Sequence, residues 1–177
     1  MLASSTIIEN IDAMRKCGLA SLAFFYHDFR EDQKRDLRGL LSSVLVQFCD
    51  QSDSYYDILA EFYSTHRYGA QSPSDDELAH CLDDILKLPE QAPIFLVVDA
   101  LDECPNNYGF LTAREKVCYL VEMLVDLQLP NLRICVASRP ELDIWNILEP
   151  LTPIQVSLHD EVGQQKDILD FITEFVQ

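Results

Sequence analysis

The sequence predicts an α/β fold built on a mostly parallel sheet. Pro93-Ile94-Phe95-Leu96-Val97-Val98-Asp99 holds five consecutive apolar residues, and such a run calls for burial on both faces, as in a parallel sheet. Strand-like runs also alternate with helical periodicity along the chain, the pattern of parallel strands joined by helices.

The elements follow in order. Ile7, Ile8, Ile11 and Met14 recur at helical spacing and predict a helix over 2–16, with Gly18 at its exit. Leu19–Tyr26 is a short apolar, aromatic-rich run that predicts a buried strand. The segment 28–36 is densely charged and reads as a loop. Leu37, Leu40, Leu41, Val44, Leu45 and Phe48 form the apolar stripe of the next helix. A weaker helix covers 54–66 and closes near Gly69. Ser74 and Glu77 form a capping box for a helix carrying Leu78, Cys81, Leu82, Ile85 and Leu86, stopped by Pro89. Residues 36–88 therefore hold consecutive helices between two strands, more than a simple crossover needs.

After the central strand, Pro105–Gly109 is a loop. Thr112 and Glu115 make a second capping box, and Val117, Leu120, Val121, Leu124 and Val125 stripe the helix behind it. Leu132–Ser138 reads as a further buried strand, with a short helix starting around Pro140. Residues 154–158 read as a weaker strand, and Asp160 caps a last helix carrying Ile168, Leu169, Ile172 and Phe175. No repeat, low-complexity tract or linker divides the chain, so residues 1–177 are expected to form a single domain.

Composition narrows the function. The 177 residues are 48% hydrophobic and 24% charged, which suits one globular core. Thirteen basic residues face thirty acidic ones, a net charge of −17. Nucleic-acid binding needs clustered Lys and Arg and is not expected. No apolar run reaches the length of a membrane span, and no signal-peptide pattern opens the sequence. The six cysteines (17, 49, 81, 104, 118 and 135) form no C-x-x-C pair and are expected as reduced core residues of a cytoplasmic protein.

Ligands of open parallel sheets bind beyond the carboxyl ends of the strands. Asp99 ends the strongest strand, and Asp102 and Glu103 follow at once. Carboxylates so close repel unless a cation or solvent relieves them. Two readings stand open: a magnesium site with an adjacent water-orienting carboxylate, or an acidic turn facing water. Arg139, ahead of Pro140, ends the next buried strand. It reads either as a phosphate grip or as a surface arginine paired with Glu141 or Glu103. A metal-dependent hydrolase using the three carboxylates has little support. His27, His66, His80 and His159 are scattered in the sequence and read as surface or packing residues.

These residues resemble a known family. Ile94–Cys104 is similar to the Walker B segment of NACHT-domain STAND P-loop NTPases, above all the fungal subgroup related to the nephrocystin-3-like N-terminal domain. Ile134–Glu141 resembles that family's sensor 1 strand, and Phe24–Tyr26 with Leu40–Gln47 also fits. The resemblance implies that Asp99 holds Mg²⁺ through water, that Asp102 or Glu103 positions the hydrolytic water, and that Arg139 senses the γ-phosphate of ATP or GTP. It implies a signalling switch that opens a surface for homotypic oligomerisation. A part-domain with exposed sheet edges would also dock to full-length relatives, and the charge and hydropathy leave neither nucleic acid nor membrane as an expected partner.

The family's G-x-x-x-x-G-K-[ST] loop occurs nowhere here, and the five glycines are isolated. Residues 2–16 resemble the helix that follows that loop. The expected architecture is a partial P-loop NTPase, three-layered α/β/α, lacking the first strand and the P-loop. That strand would lie between the sensor strand and the strand near 154–158. The expected function is a nucleotide-binding switch fragment with weak or no independent hydrolysis. The alternative is a non-catalytic interaction module derived from the same domain.

Overall fold

The strand that the sequence marks most strongly is buried at all six of its positions, Ile94–Asp99. A computed structural model describes residues 2–106 and 111–155. In it this strand (β2) is the middle of a three-stranded parallel sheet. On one side lies β1 (Ser21–Tyr26), with Ser21 opposite Ile94 and Tyr26 opposite Asp99. On the other lies β3 (Leu132–Val136), with Leu132 opposite Ile94 and Val136 opposite Val98.

Side chains alternate across the sheet and build three layers. Leu22, Phe95 and Val97 point to one face, where Ile7 and Ile11 of α1 (Leu2–Lys16) cover them. Ala23, Phe25, Ile94, Leu96 and Val98 point to the other. There they meet α2 (Leu37–Cys49), α4 (Asp75–Leu86) and α5 (Ala113–Asp126). Between α2 and α4, α3 (Asp53–Thr65) adds Tyr55 and half-buried Phe62 to the same core.

The helix starts are set by their caps. Asp36 accepts the Gly39 N–H at 3.0 Å. Both expected capping boxes form, Ser74 with Glu77 and Thr112 with Glu115. Gly39 is required by packing, since a Cβ there would collide with the Gln33 carbonyl.

An open strand edge invites pairing with other chains, and the outer edge of β1 is closed by side chains. Gln47 lies in the last turn of α2, and Gln51 follows two residues past its end. Gln47 accepts the Phe24 N–H at 3.1 Å and donates to the Phe24 carbonyl at 2.8 Å. Gln51 does the same for Leu22, at 2.9 and 2.6 Å. Two side-chain amides thus stand in for a neighbouring strand.

Several expectations need correction. β3 is half-buried throughout rather than buried, because among the described residues it is paired along one edge only. The short helix α6 (Leu142–Leu148) starts two residues past Pro140. The reason is a tight turn: the Arg139 carbonyl accepts both the Glu141 N–H and the Ser138 hydroxyl, at 2.8 and 2.6 Å. Ile154 and Gln155 are not in a strand. The rest of the expected strand 154–158, and the helix after Asp160, lie outside the described residues, as does the loop beyond Asn106. All six cysteines are free, but Cys17 is exposed and only Cys81, Cys104 and Cys118 are buried. Among the described residues no helix is long and apolar enough to cross a membrane.

Replacing Gln51 with Leu strips the Leu22 N–H and carbonyl of their partners. The expected loss is about 2 kcal/mol, read as a lower urea midpoint. An unchanged midpoint would show that water serves this edge equally well.

Candidate functional site

The carboxyl end of β2 does not run straight on. Asp99 is 5% exposed, and one of its oxygens accepts the N–H of Ala100 at 2.7 Å. Ala100 then takes a left-handed conformation, φ 54° and ψ 41°. This is uncommon for a residue with a Cβ and turns the chain sharply into a 3-10 turn, Leu101–Glu103. Leu101 is fully buried, and its N–H bonds to the Ala137 carbonyl at 3.2 Å, which ties the turn to the end of β3.

The three expected carboxylates are therefore not equivalent. Asp99 shares a strand face with Phe95 and Val97, the α1 side. Its Oδ2 is buried and has no hydrogen-bond partner among the described residues. Asp102 is engaged instead. Its carboxylate accepts the Arg139 backbone N–H at 3.0 Å and the Arg139 Nε–H at 2.6 Å. Burial alone would raise the Asp102 carboxyl, but these hydrogen bonds and the guanidinium charge outweigh it, and the net shift is downward. The Glu103 side chain is half-buried and makes no hydrogen bond or ion pair with a described residue.

The relief of repulsion that the sequence calls for comes in part from the protein's own cation, because Arg139 neutralises Asp102. One expectation changes: Arg139 pairs with Asp102, not with Glu103 or Glu141. The β2–β3 adjacency that places Arg139 at the same edge as Asp99 is present.

Three further residues shape the site, and the sequence did not assign them to it. Arg114, on α5, is 9% exposed. Its Nε donates to the Cys104 carbonyl at 3.0 Å, its Nη2 to the Asp102 carbonyl, and its Nη1 to Asp143 at 3.0 Å. One buried cation thereby pins the acidic turn and joins it to α6. Cys104 donates its thiol to the Arg35 carbonyl at 3.1 Å, fastening the turn to the charged loop. His27 is 2% exposed, and its N–H bonds to the Asp99 carbonyl at 3.0 Å. It is a packing residue, as expected, edge-on to Phe25. It is not remote from the acidic edge, however, because register sets it beside Asp99. Neither ring nitrogen makes a well-formed hydrogen bond with a described residue, and burial, opposed in smaller part by the Lys34 backbone, pushes its pKa down to about 4. In the charged loop, Asp28 grips Arg30 at 2.8 and 2.9 Å, which holds the Asp28 carboxyl down at about 2.

Among the described residues, no three His, Cys, Asp or Glu side chains come together as a metal site. Magnesium asks for less: one or two carboxylates, with water and phosphate oxygens for the rest. Asp99 meets that demand with its unpartnered buried oxygen. Asp102 does not, since both its oxygens are bound by Arg139.

Comparison with known families decides the relationship. The family model for nephrocystin 3, N-terminal, matches residues 1–139. The chain belongs to the nephrocystin 3 N-terminal family. Neither a curated protein nor a solved structure matches it. The stretch matched to the nephrocystin 3 N-terminal family takes in α1, all three strands, Asp99, Asp102, Glu103 and Arg139.

Two predictions follow from the buried polar groups. Arg114→Met leaves the Asp102 and Cys104 carbonyls without this donor, while Asp143 keeps Asn106, and is expected to cost about 2 kcal/mol. Denaturant unfolding checks it, and a loss within error would show that water replaces the guanidinium. The second concerns His27, whose pKa falls from 6.5 unfolded to about 4 folded. Between those values the unfolded chain binds the proton and the folded chain does not. Stability should therefore fall as pH drops from 6.5 to 4 and level off below, by about 3 kcal/mol in all. Asp36, Arg114 and Asp102 are the charges that act on the ring. His27→Phe should flatten the slope over that window, and an unaltered slope would assign it to other groups.

Proposed function

We propose that these residues form the magnesium-holding and phosphate-sensing part of a nucleotide switch of the NACHT STAND type. The observation that carries this reading is the buried, unpartnered Oδ2 of Asp99 at the end of the middle strand. Buried polar atoms are normally satisfied, and a ligand is the simplest partner for this one. The place agrees, since ligands of parallel sheets sit beyond the carboxyl ends of the strands. The Arg139 side chain, 74% exposed at the same edge, supports it.

The division of labour follows from the contacts. Asp99 holds the magnesium ion, directly or through water. Bound Mg²⁺ would neutralise phosphate oxygens of ATP or GTP. Arg139 would bind the terminal phosphate, and Glu103 would orient a water. The sequence contains no G-x-x-x-x-G-K-[ST] loop, so the backbone cradle, the lysine and the hydroxyl of that loop are not among its groups. Weak nucleotide binding and little turnover are the expected properties. A NACHT-type switch would also associate with itself or with related full-length chains. The alternative, a non-catalytic interaction module, draws on β3, an edge strand among the described residues.

Calorimetric titration with ATP and with GTP tests the proposal. Binding should require magnesium and weaken at least about tenfold in Asp99→Asn, by analogy with the loss of groups around metal sites. Binding that ignores both magnesium and Asp99 would sink it. Fusing a strand and a G-x-x-x-x-G-K-S loop ahead of Leu2 should raise turnover, and equal turnover would show that the loop is dispensable. If nucleotide fails to bind and sedimentation shows self-association or capture of a related full-length chain, the interaction module stands.

A further inference from the structure

Asp102 and Glu103 are adjacent carboxylates on one turn, and their sequence context alone does not divide the work between them. Their contacts do. Asp102 is spent on Arg139 twice over, on its backbone N–H at 3.0 Å and its Nε–H at 2.6 Å. The Asp102 side chain is 7% exposed and the Arg139 side chain 74%. The two Nη nitrogens of Arg139 bond to no described residue. A guanidinium held through Nε presents its Nη pair as a fork suited to an oxyanion.

We infer that Asp102 is a positioning residue: it acts on Arg139 and not on water, holding the guanidinium with its Nη fork outward for a phosphoryl oxyanion. Glu103 is left as the free carboxylate of the turn.

Three observations support this. Both Asp102 oxygens are occupied and nearly buried, so a water has little access to them. Asp102 is itself braced, because Arg114 grips its carbonyl and Leu101 is tied to Ala137. The clamp therefore joins two fixed points, the turn after β2 and the end of β3. And the hydrogen bonds from Arg139 hold the Asp102 carboxyl below its ordinary range, which makes it a poor proton acceptor. Glu103 and Glu141 are near enough for their charge to act on the guanidinium. A bare anion would meet their repulsion, so the ligand that fits is a polyphosphate accompanied by magnesium. That last step rests on the nucleotide reading; the clamp itself does not.

The test compares two substitutions that remove the same charge, Asp102→Ala and Glu103→Ala. In nitrogen-15 spectra, the Arg139 Nε–H should give a resolved, slowly exchanging signal in the native protein and in Glu103→Ala. It should be lost in Asp102→Ala and restored in Asp102→Glu. Inorganic tripolyphosphate with magnesium is then the probe. Losing a negative charge favours anion binding on electrostatic grounds. Glu103→Ala should accordingly bind as tightly as native protein or tighter. Asp102→Ala should bind at least threefold more weakly, a sign that charge cannot produce. The inference is overturned if the Nε–H signal survives in Asp102→Ala, if both variants bind tripolyphosphate more tightly, or if the probe leaves Arg139 unmoved in native protein. Should Asp102→Ala lose the native amide fingerprint, Arg139→Lys takes its place. It keeps the charge and the backbone bond but lacks the fork, and the same weakening is expected. Tripolyphosphate that moves Arg139 while magnesium-ATP and magnesium-GTP fail to bind would sink the nucleotide reading and leave the role of Asp102 standing.

Discussion

The structure depends on one constraint, the burial of β2. A strand of six buried residues needs apolar cover on both faces and hydrogen-bond partners on both edges, because unpaired backbone groups away from water are costly. Cover comes from α1 on one face and from α2, α4 and α5 on the other. Partners come from β1 and β3. The same demand passes outward to β1, which is also well buried and has no strand on its far side among the described residues. Gln47 and Gln51 meet it there with side-chain amides. The cost of an open edge thus decides what α2 must carry on the face turned to the sheet.

The site is a consequence of how the chain leaves that strand. The left-handed Ala100 turns the backbone between Asp99 and Asp102. Asp99 stays on the α1 face of the sheet, while the turn that follows is pinned by Arg114 and Cys104, whose side chains belong to the opposite side. Three carboxylates within five residues therefore have three environments. One is buried with an orphan oxygen, one is neutralised by an arginine and one is free. Proximity in sequence overstated how closely they act together.

Much of the fold was legible because it rests on local rules. The apolar run of β2, the stripe of α2 and the two capping boxes each need only neighbours a few residues away. Parallel pairing followed from that run and from the helices on either side of it. The half-buried state of β3 was not legible in its own residues, since the mostly apolar Leu132-Arg133-Ile134-Cys135-Val136 reads the same whether or not its second edge is covered; only the resemblance, which sets an absent strand beside it, implied an open edge there. Contacts between distant residues were hidden altogether. Gln47 and Gln51 look like solvent-facing positions until the helix is set against β1. Arg114 looks like a surface residue near a helix start, and only tertiary packing brings it to Asp102, Cys104 and Asp143. Asp102 as the partner of Arg139, in place of Glu103 or Glu141, follows from the turn at Ala100, which no motif encodes.

The opposite faces of the sheet carry different burdens. On the α2 and α5 side the polar groups near the edge are mostly satisfied: Arg114 has three partners and Cys104 donates to Arg35. These contacts hold loops in place and explain themselves as structure. His27 is neutral there and stacks edge-on against Phe25, so its missing hydrogen bonds are offset in part by packing. Asp99 is explained in part. Its Oδ1 accepts the Ala100 N–H at 2.7 Å and so helps to hold the left-handed turn. Its Oδ2 is a strong acceptor shut away from water with no partner among the described residues, a cost that an apolar residue would not carry. Local rules are broken in native proteins mainly where function requires it, and this second oxygen is what separates Asp99 from Arg114 and Cys104, whose polar groups are satisfied.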